Sequence, residues 1–273
     1  MEICFSKNSL LGICLAVVAH VAISAPITPT HALPTHAPRI GGIAILDTGV
    51  STTQAAPKVL FQDKPVWVLP VGEQWQAVIG IPLTQAVGEA SVQVTAGSKS
   101  QSVIFTVLPH DYPQQHLTVK KEFVTPDPKQ LQRVAEEQKI QQEALRHYSL
   151  DPPKYTRLMW PLPPELTARQ SSAYGLRRFY YGEERSPHKG IDLAVAEGTP
   201  ILAPLDGVVV AQGHFFFNGN TVMIEHGMGL VTMYCHLSRI DVLPNEYVRQ
   251  GQVLGLVGQT GRATAPHLHF GVA

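Results

Sequence analysis

FFFNGNTVMIEHGMGLVTMYCHLS, residues 215–238, is built from apolar runs broken at glycines. Asn218-Gly219 marks the first break, and Gly227 and Gly229 mark the second. The runs between them are rich in Val, Ile, Met and Tyr and too short for helices. They read as strands that reverse at the glycines. The pattern continues to both sides. TPILAPLDGVVVAQG (199–213) breaks at Asp206-Gly207, a hairpin signal, and EYVRQGQVLGLVG (246–258) turns at Gly251. No long helical period interrupts it, so residues 160–273 are expected to form one antiparallel-β domain.

The rest of the chain is also mainly β. In residues 40–125, GGIAILDTG, KVLFQ, PVWVLPVG, QWQAVIGIPL, ASVQVTAG and QSVIFTVLP are apolar or alternating runs split by Gly, Pro, Asp and Ser. They predict a small β-sandwich or barrel. Trp67 and Trp75 are assigned to packing rather than to a carbohydrate platform. Residues 126–159 are a helix and linker. Asp127-Pro128 has the character of an N-cap and first-turn pair, and Lys129–Tyr148 contains no Gly or Pro. Its apolar stripe is thin (Leu131, Val134, Ala135, Ile140, Ala144, Leu145), which predicts a mostly exposed helix packed along one edge.

At the N-terminus, Lys7 precedes the apolar run Leu10–Ala25, which fits a secretory signal or an uncleaved inner-membrane anchor. A cut after Ala25 or after Ala32 is compatible with the sequence. Residues 26–39 form a Pro/Thr-rich tether. Either reading exports the remainder to the periplasm or cell envelope. Cys4 and Cys14 lie in this segment, so an exported chain keeps only Cys235 and no internal disulfide. Lys and Arg number 21 against 21 Asp and Glu, which gives no bulk attraction to nucleic acid.

The chemistry gathers between residues 188 and 269. SPHKGIDLA places His188 four residues before Asp192, MYCHLS places His236 in an apolar strand, and PHLHF holds His267 and His269 two apart. Residues i and i+2 of a strand share a face, so the last two imidazoles are expected side by side. Alternation likewise puts Tyr234 on the face of His236 and turns Cys235 away from it. Alone, each element has an ordinary structural explanation. Together they suffice for a hydrolytic zinc site, which uses three N or O ligands and leaves histidines to handle protons. His214 and His226, beside turn residues, are assigned structural roles.

HKGIDLAVAEGTPILAPLDGVV, GNTVMIEHGMGLVTMYCHLS and VRQGQVLGLVGQTGRATAPHLHF resemble the lysostaphin/LytM-type zinc metallopeptidases, over roughly residues 160–273. Residues 40–125 resemble, more weakly, the β-domain ahead of the peptidase in some Gram-negative members. The resemblance implies one Zn2+ on His188, Asp192 and His269, with His236 and His267 as the catalytic pair. It implies a monomeric endopeptidase that cuts peptidoglycan cross-links, with D-alanyl–diaminopimelate bonds favoured over glycine bridges. AYGLRRFYYGEERSPH resembles the family's loop at the mouth of the groove, which makes Arg177 a candidate substrate contact beside Tyr234. Some relatives lose ligands and only bind wall or activate other hydrolases, and that non-hydrolytic module is the alternative. Family members usually continue beyond the H-x-H strand, so the resemblance also suggests a C-terminal truncation at Ala273.

Overall fold

The structure, a computed structural model, describes residues 34–153 and 157–273. The signal or anchor segment and tether residues 26–33 lie outside the described residues. Among the described residues no helix is long and apolar enough to cross a membrane.

The front of the chain forms β1 (Ile43–Ser51), β2 (Lys58–Phe61), β3 (Lys64–Pro65), β4 (Trp67–Val71), β5 (Gln74–Gly80), β6 (Gly88–Ala96) and β7 (Lys99–Val107). Two sheets, ordered β1-β5-β4 and β3-β2-β6-β7, close on Val59, Ala77, Ile79, Val92, Val94 and Val107 as a sandwich. Each run read as a strand from its alternation becomes one. His36 is tied to this unit, since its Nδ1 accepts the Ile45 N–H at 3.0 Å.

Then come β8 (Gln114–Leu117) and α1 (Pro128–Ala144). After the linker follow β9 (Arg169–Ser172), β10 (Arg177–Tyr180), β11 (Glu183–Glu184), β12 (Ile191–Ala194), β13 (Pro200–Leu202) and β14 (Gly207–Phe215). The chain ends with β15 (Gly219–Glu225), β16 (Val231–Ile240), β17 (Tyr247–Val248), β18 (Val253–Val257) and β19 (Leu268–Val272). The main sheet runs β17-β14-β15-β16-β19-β12-β9, with β18 pairing both β13 and β16. Its core includes Leu193, Ile201, Val222, Tyr234, Leu237, Leu254, Leu268 and Phe270. The β14–β15 hairpin turns at Asn218-Gly219 as expected. Gly219 has φ +63°, and a Cβ there would collide with Thr260. Asp206-Gly207 is not a hairpin, because β13 pairs with β18 rather than β14. Gln250 draws this segment away: its N–H donates to Asp206 Oδ1 at 2.7 Å and its Nε2 to the Pro204 carbonyl at 2.9 Å.

The end of the 40–125 segment leaves the sandwich and joins the second domain. β8 pairs in parallel with β10, which makes it part of the small sheet β11-β10-β8. Helix α1 has the expected start as a full capping box, with Asp127 Oδ1 accepting from Gln130 N and Gln130 Oε1 from Asp127 N, both at 2.8 Å. Its docking face differs from the expected stripe. Leu131, Ile140 and Leu145 are exposed, whereas Val134, Glu137 and Ala144 are buried. Polar groups decide this. Glu137 Oε2 accepts the Phe216 N–H at 2.7 Å and its Oε1 accepts Arg133 Nε at 2.6 Å, while Gln141 Oε1 accepts from Asn218 Nδ2 at 3.1 Å. The helix thus caps unpaired groups of the β14–β15 turn.

Glu137→Ala strands that N–H and is expected to cost about 1–3 kcal/mol of stability in urea unfolding. Leu131→Ala, at a side chain 53% exposed, should stay within about 0.5 kcal/mol.

Candidate metal centre

Strands β12 and β19 are antiparallel neighbours with Asp192 opposite His269 and Leu193 opposite Leu268. Alternation sends Leu193, Leu268 and Phe270 into the core and Asp192 and His269 to the other face. His188 enters from the segment just before β12. Its Nε2 lies 2.9 Å from Asp192 Oδ1 and 3.0 Å from His269 Nδ1, and His269 Nδ1 lies 2.8 Å from the same oxygen. All three residues are buried. Gly190 makes room for this, since a Cβ there would strike the His269 ring and the Phe270 carbonyl.

The donor set suits a divalent cation. A backbone carbonyl can only accept, so His188 Nδ1, 2.8 Å from the Ala173 carbonyl, carries the ring proton. Its Nε2 is then a bare lone pair aimed at a carboxylate oxygen and at a second imidazole. Two imidazole nitrogens and one carboxylate oxygen thus converge within 3.0 Å, a donor set that suits a cation of intermediate softness.

His236 and His267 flank this cluster, their ring centroids 4.7 Å apart. His236 Nδ1 donates to the Thr260 carbonyl and His267 Nδ1 to the Ala265 carbonyl, both at 2.8 Å. Each keeps a lone pair on Nε2, and that of His267 lies 3.8 Å from Asp192 Oδ1. Burial first, then the neighbouring His267 and His269, push the His236 pKa down to about 3. Its imidazole is therefore neutral throughout the physiological range.

His188, Asp192, His236, His267 and His269 are brought together, but two other candidates are not. Tyr234 is fully buried against Phe270, and its hydroxyl is 2.8 Å from Thr232 Oγ1. It has no surface to offer a substrate. Tyr234 and His236 do not share a face because β16 carries a bulge. Val222 pairs with Tyr234 and Asn220 with Leu237, so one residue of β16 is extra, and His236 has φ +67°. The bulge aims His236 at the metal ligands while Tyr234 and Leu237 both stay in the core. Cys235, opposite His269, lies on the ligand face rather than being turned from it. Its inertness has another cause, for burial pushes its thiol up to about 12. His214 bonds Asn220 Oδ1, and His226 lies between the Asp206 carbonyl and Thr232 Oγ1.

Arg177 is the second miss. It points outward and pairs with Glu184 at 2.7 and 3.0 Å. Its neighbour Arg178, on the opposite face of β10, donates from Nη2 to Asp192 Oδ2 at 2.8 Å. Gln115 of β8 steadies it, with Oε1 3.3 Å from Arg178 Nε and Nε2 2.8 Å from Ser172 Oγ. The sequence held the signal in the parity of β10, once its inner face was known. The carbonyls of Asn218 and Thr260, which hold His236 N–H and Nδ1 at 2.8 Å, are backbone groups with no such signal.

Two family models match the chain: peptidase family M23 over residues 186–273, and the peptidase family M23 N-terminal domain over residues 36–110. The DD-carboxypeptidase/endopeptidase Mpg of Neisseria meningitidis is 42% identical over 109 residues, which are 40% of this chain and 25% of that protein. The peptidoglycan DD-endopeptidase ShyA of Vibrio cholerae is 43% identical over 109 residues, with the same 40% and 25% shares. The chain thus spans about a quarter of the length of these curated relatives. A crystal structure described as a peptidase M23 from Pseudomonas aeruginosa is 36% identical, with a TM-score of 0.72, over 87% of this chain and 90% of that one.

Arg178→Met should weaken divalent-metal affinity about 10- to 100-fold in a chelator competition, the usual effect of losing a group that orients a ligand. Arg177→Met should leave it unchanged. In native protein the Cys235 peptide should stay unlabelled by iodoacetamide in a mass spectrum, and become labelled only on unfolding.

Proposed function

The chain belongs to peptidase family M23, and on that premise we propose that it is a zinc-dependent endopeptidase that hydrolyses peptide cross-links of peptidoglycan. His188, Asp192 and His269 hold one Zn2+, and His236 and His267 handle protons beside it. The carrying observation is the convergence of His188 Nε2, Asp192 Oδ1 and His269 Nδ1 within 3.0 Å, with two further imidazoles whose Nε2 lone pairs are free. The names of the relatives support a bond between D-residues, and we assign D-alanyl–diaminopimelate cross-links as the substrate. The apolar run Leu10–Ala25 supports export, on which reading the protein acts on the wall in the periplasm or envelope.

His188, Asp192 and His269 would hold the zinc ion, which would supply polarisation of the scissile carbonyl and a more acidic water. The chain supplies the rest. His188 and His269 contribute neutral nitrogens, and Asp192 contributes charge. Arg178 restrains Asp192 Oδ2, leaving Oδ1 turned toward the two histidines. His236, neutral and fixed by two backbone carbonyls, accepts the proton of the attacking water at Nε2. His267, nearer the surface and 3.8 Å from Asp192 Oδ1, takes up a proton from solvent at Nε2 and in that form stabilises the developing oxyanion or delivers the proton to the leaving amine. A histidine pair takes the part that glutamate plays in H-E-x-x-H enzymes, a motif this sequence lacks. A non-hydrolytic wall-binding module would need neither histidine, yet both are held in one tautomer.

Purified protein, metal-free and then zinc-loaded, is tested on diaminopimelate-type peptidoglycan with fragments read by mass. Zinc-dependent loss of cross-linked dimers is expected. His236→Ala and His267→Ala should retain zinc and lose at least about 10²-fold in rate, the size of a proton-transfer effect. His188→Ala should lose zinc by elemental analysis. One zinc bound without any turnover would favour the non-hydrolytic module.

A further inference from the structure

Arg262 is a cation for which the described residues supply no polar partner. Its guanidinium carbon lies 5.0 Å from the Tyr180 ring centroid and 4.6 Å from that of Phe217. Its backbone N–H donates to the Phe217 carbonyl, which fixes the loop, but among the described residues no acceptor meets its side chain. The nearby carboxylates are already engaged. Asp192 is held by Arg178, Glu184 by Arg177 and Glu183 by Arg185. Burial pushes the Arg262 pKa down, and the charges of Arg178 and Arg185 push in the same direction against a contribution from Tyr180. A guanidinium held against two rings with unused in-plane donors is pre-organised for a planar anion.

Its position ties it to the reaction. Arg178 and Tyr180 are two apart on β10 and share a face, so Arg262 lies one strand repeat from the arginine that grips Asp192. From the other wall, Arg262 is two residues beyond Thr260, whose carbonyl holds His236 Nδ1. It therefore flanks the groove where the scissile bond must lie.

We propose that Arg262 binds a free carboxylate of the substrate, carried on the residue that supplies the scissile nitrogen. The inference rests on the peptidase reading and deepens it. In a D-alanyl–diaminopimelate cross-link, the carbon bearing the scissile nitrogen also bears a free carboxylate. A glycine bridge offers none. Arg262 thereby selects acidic, directly cross-linked peptides, and the pairing is bidentate and charge-assisted.

The test compares two cross-linked muropeptide dimers, one with that carboxylate free and one with it amidated. Calorimetry on the metal-free protein reads binding without turnover, and kcat/KM on the zinc-loaded protein reads cleavage. The free-acid dimer should bind at least about 10-fold more tightly and be cut with the same preference. Arg262→Met should erase that preference by slowing only the free-acid dimer. Wild-type protein that binds and cuts both dimers alike would overturn the inference and leave the peptidase reading intact, whatever the variant does. Arg262→Met protein that slows both dimers equally would mark Arg262 as a brace for its loop and overturn the inference too. Wild-type protein that cuts neither dimer yet binds the free acid more tightly would sink the peptidase reading and keep the carboxylate site.

Discussion

One buried carboxylate organises the C-terminal half of this protein. Asp192 is only 6% exposed, and an ion at that depth is tolerated only where opposite charge or donors surround it. Its two oxygens divide the work. Oδ1 faces the nitrogens of His188 and His269, and Oδ2 faces Arg178. The division matters because a carboxylate free to rotate would present either oxygen to a cation. Here the guanidinium engages one and leaves the other turned toward the imidazoles. A site with two neutral nitrogens and a single charge depends on that carboxylate more than a site with several acids would.

Antiparallel pairing makes this arrangement cheap to specify. Asp192 and His269 are directly opposed, so two ligands follow from one register, and a slip of one residue would turn both into the core. His236 could not follow from register alone. A regular β16 would put its side chain on the core face with Tyr234. The bulge re-aims it, and the Asn218 and Thr260 carbonyls hold the displaced residue. Asn218 is in turn bonded by Gln141 of α1, whose Glu137 neighbour caps Phe216. The connecting helix therefore acts as a brace behind the hairpin that supports His236.

This explains which parts were legible in the sequence. Strand content, the sandwich, the helix start and the gathering of five site residues follow from alternation, glycine turns, an Asp-Pro cap and ligand spacing, all local signals. What the sequence hid was parity. A single extra residue in β16 inverted the readings of Tyr234 and Cys235. One step along β10 separated Arg177, which faces outward, from Arg178 on Asp192. The helix is mostly exposed and buries Val134 and Ala144 of its expected stripe, but the N–H of Phe216, 79 residues from Glu137, draws in a glutamate in place of the leucines. Asp206-Gly207 read as a hairpin because its turn chemistry is right, while Gln250 took its hydrogen bonds elsewhere.

The two domains also meet unequally around the centre. An apolar cleft of about 700 Å³ lies between Ile43, Ile81 and Leu83 of the sandwich and Ile191, Phe270 and Val272 of the catalytic sheet. Those sheet residues alternate with Asp192 and His269, so the sandwich abuts the face opposite the ligands. The stretch between the sandwich and the helix reaches the face of Asp192 and His269 instead. Through β8 it pairs with β10, and Gln115 bonds the arginine that fixes Asp192. Its influence runs through a strand pairing and one amide, and any movement of this stretch that breaks the β8–β10 ladder would loosen Arg178 first and the carboxylate after it.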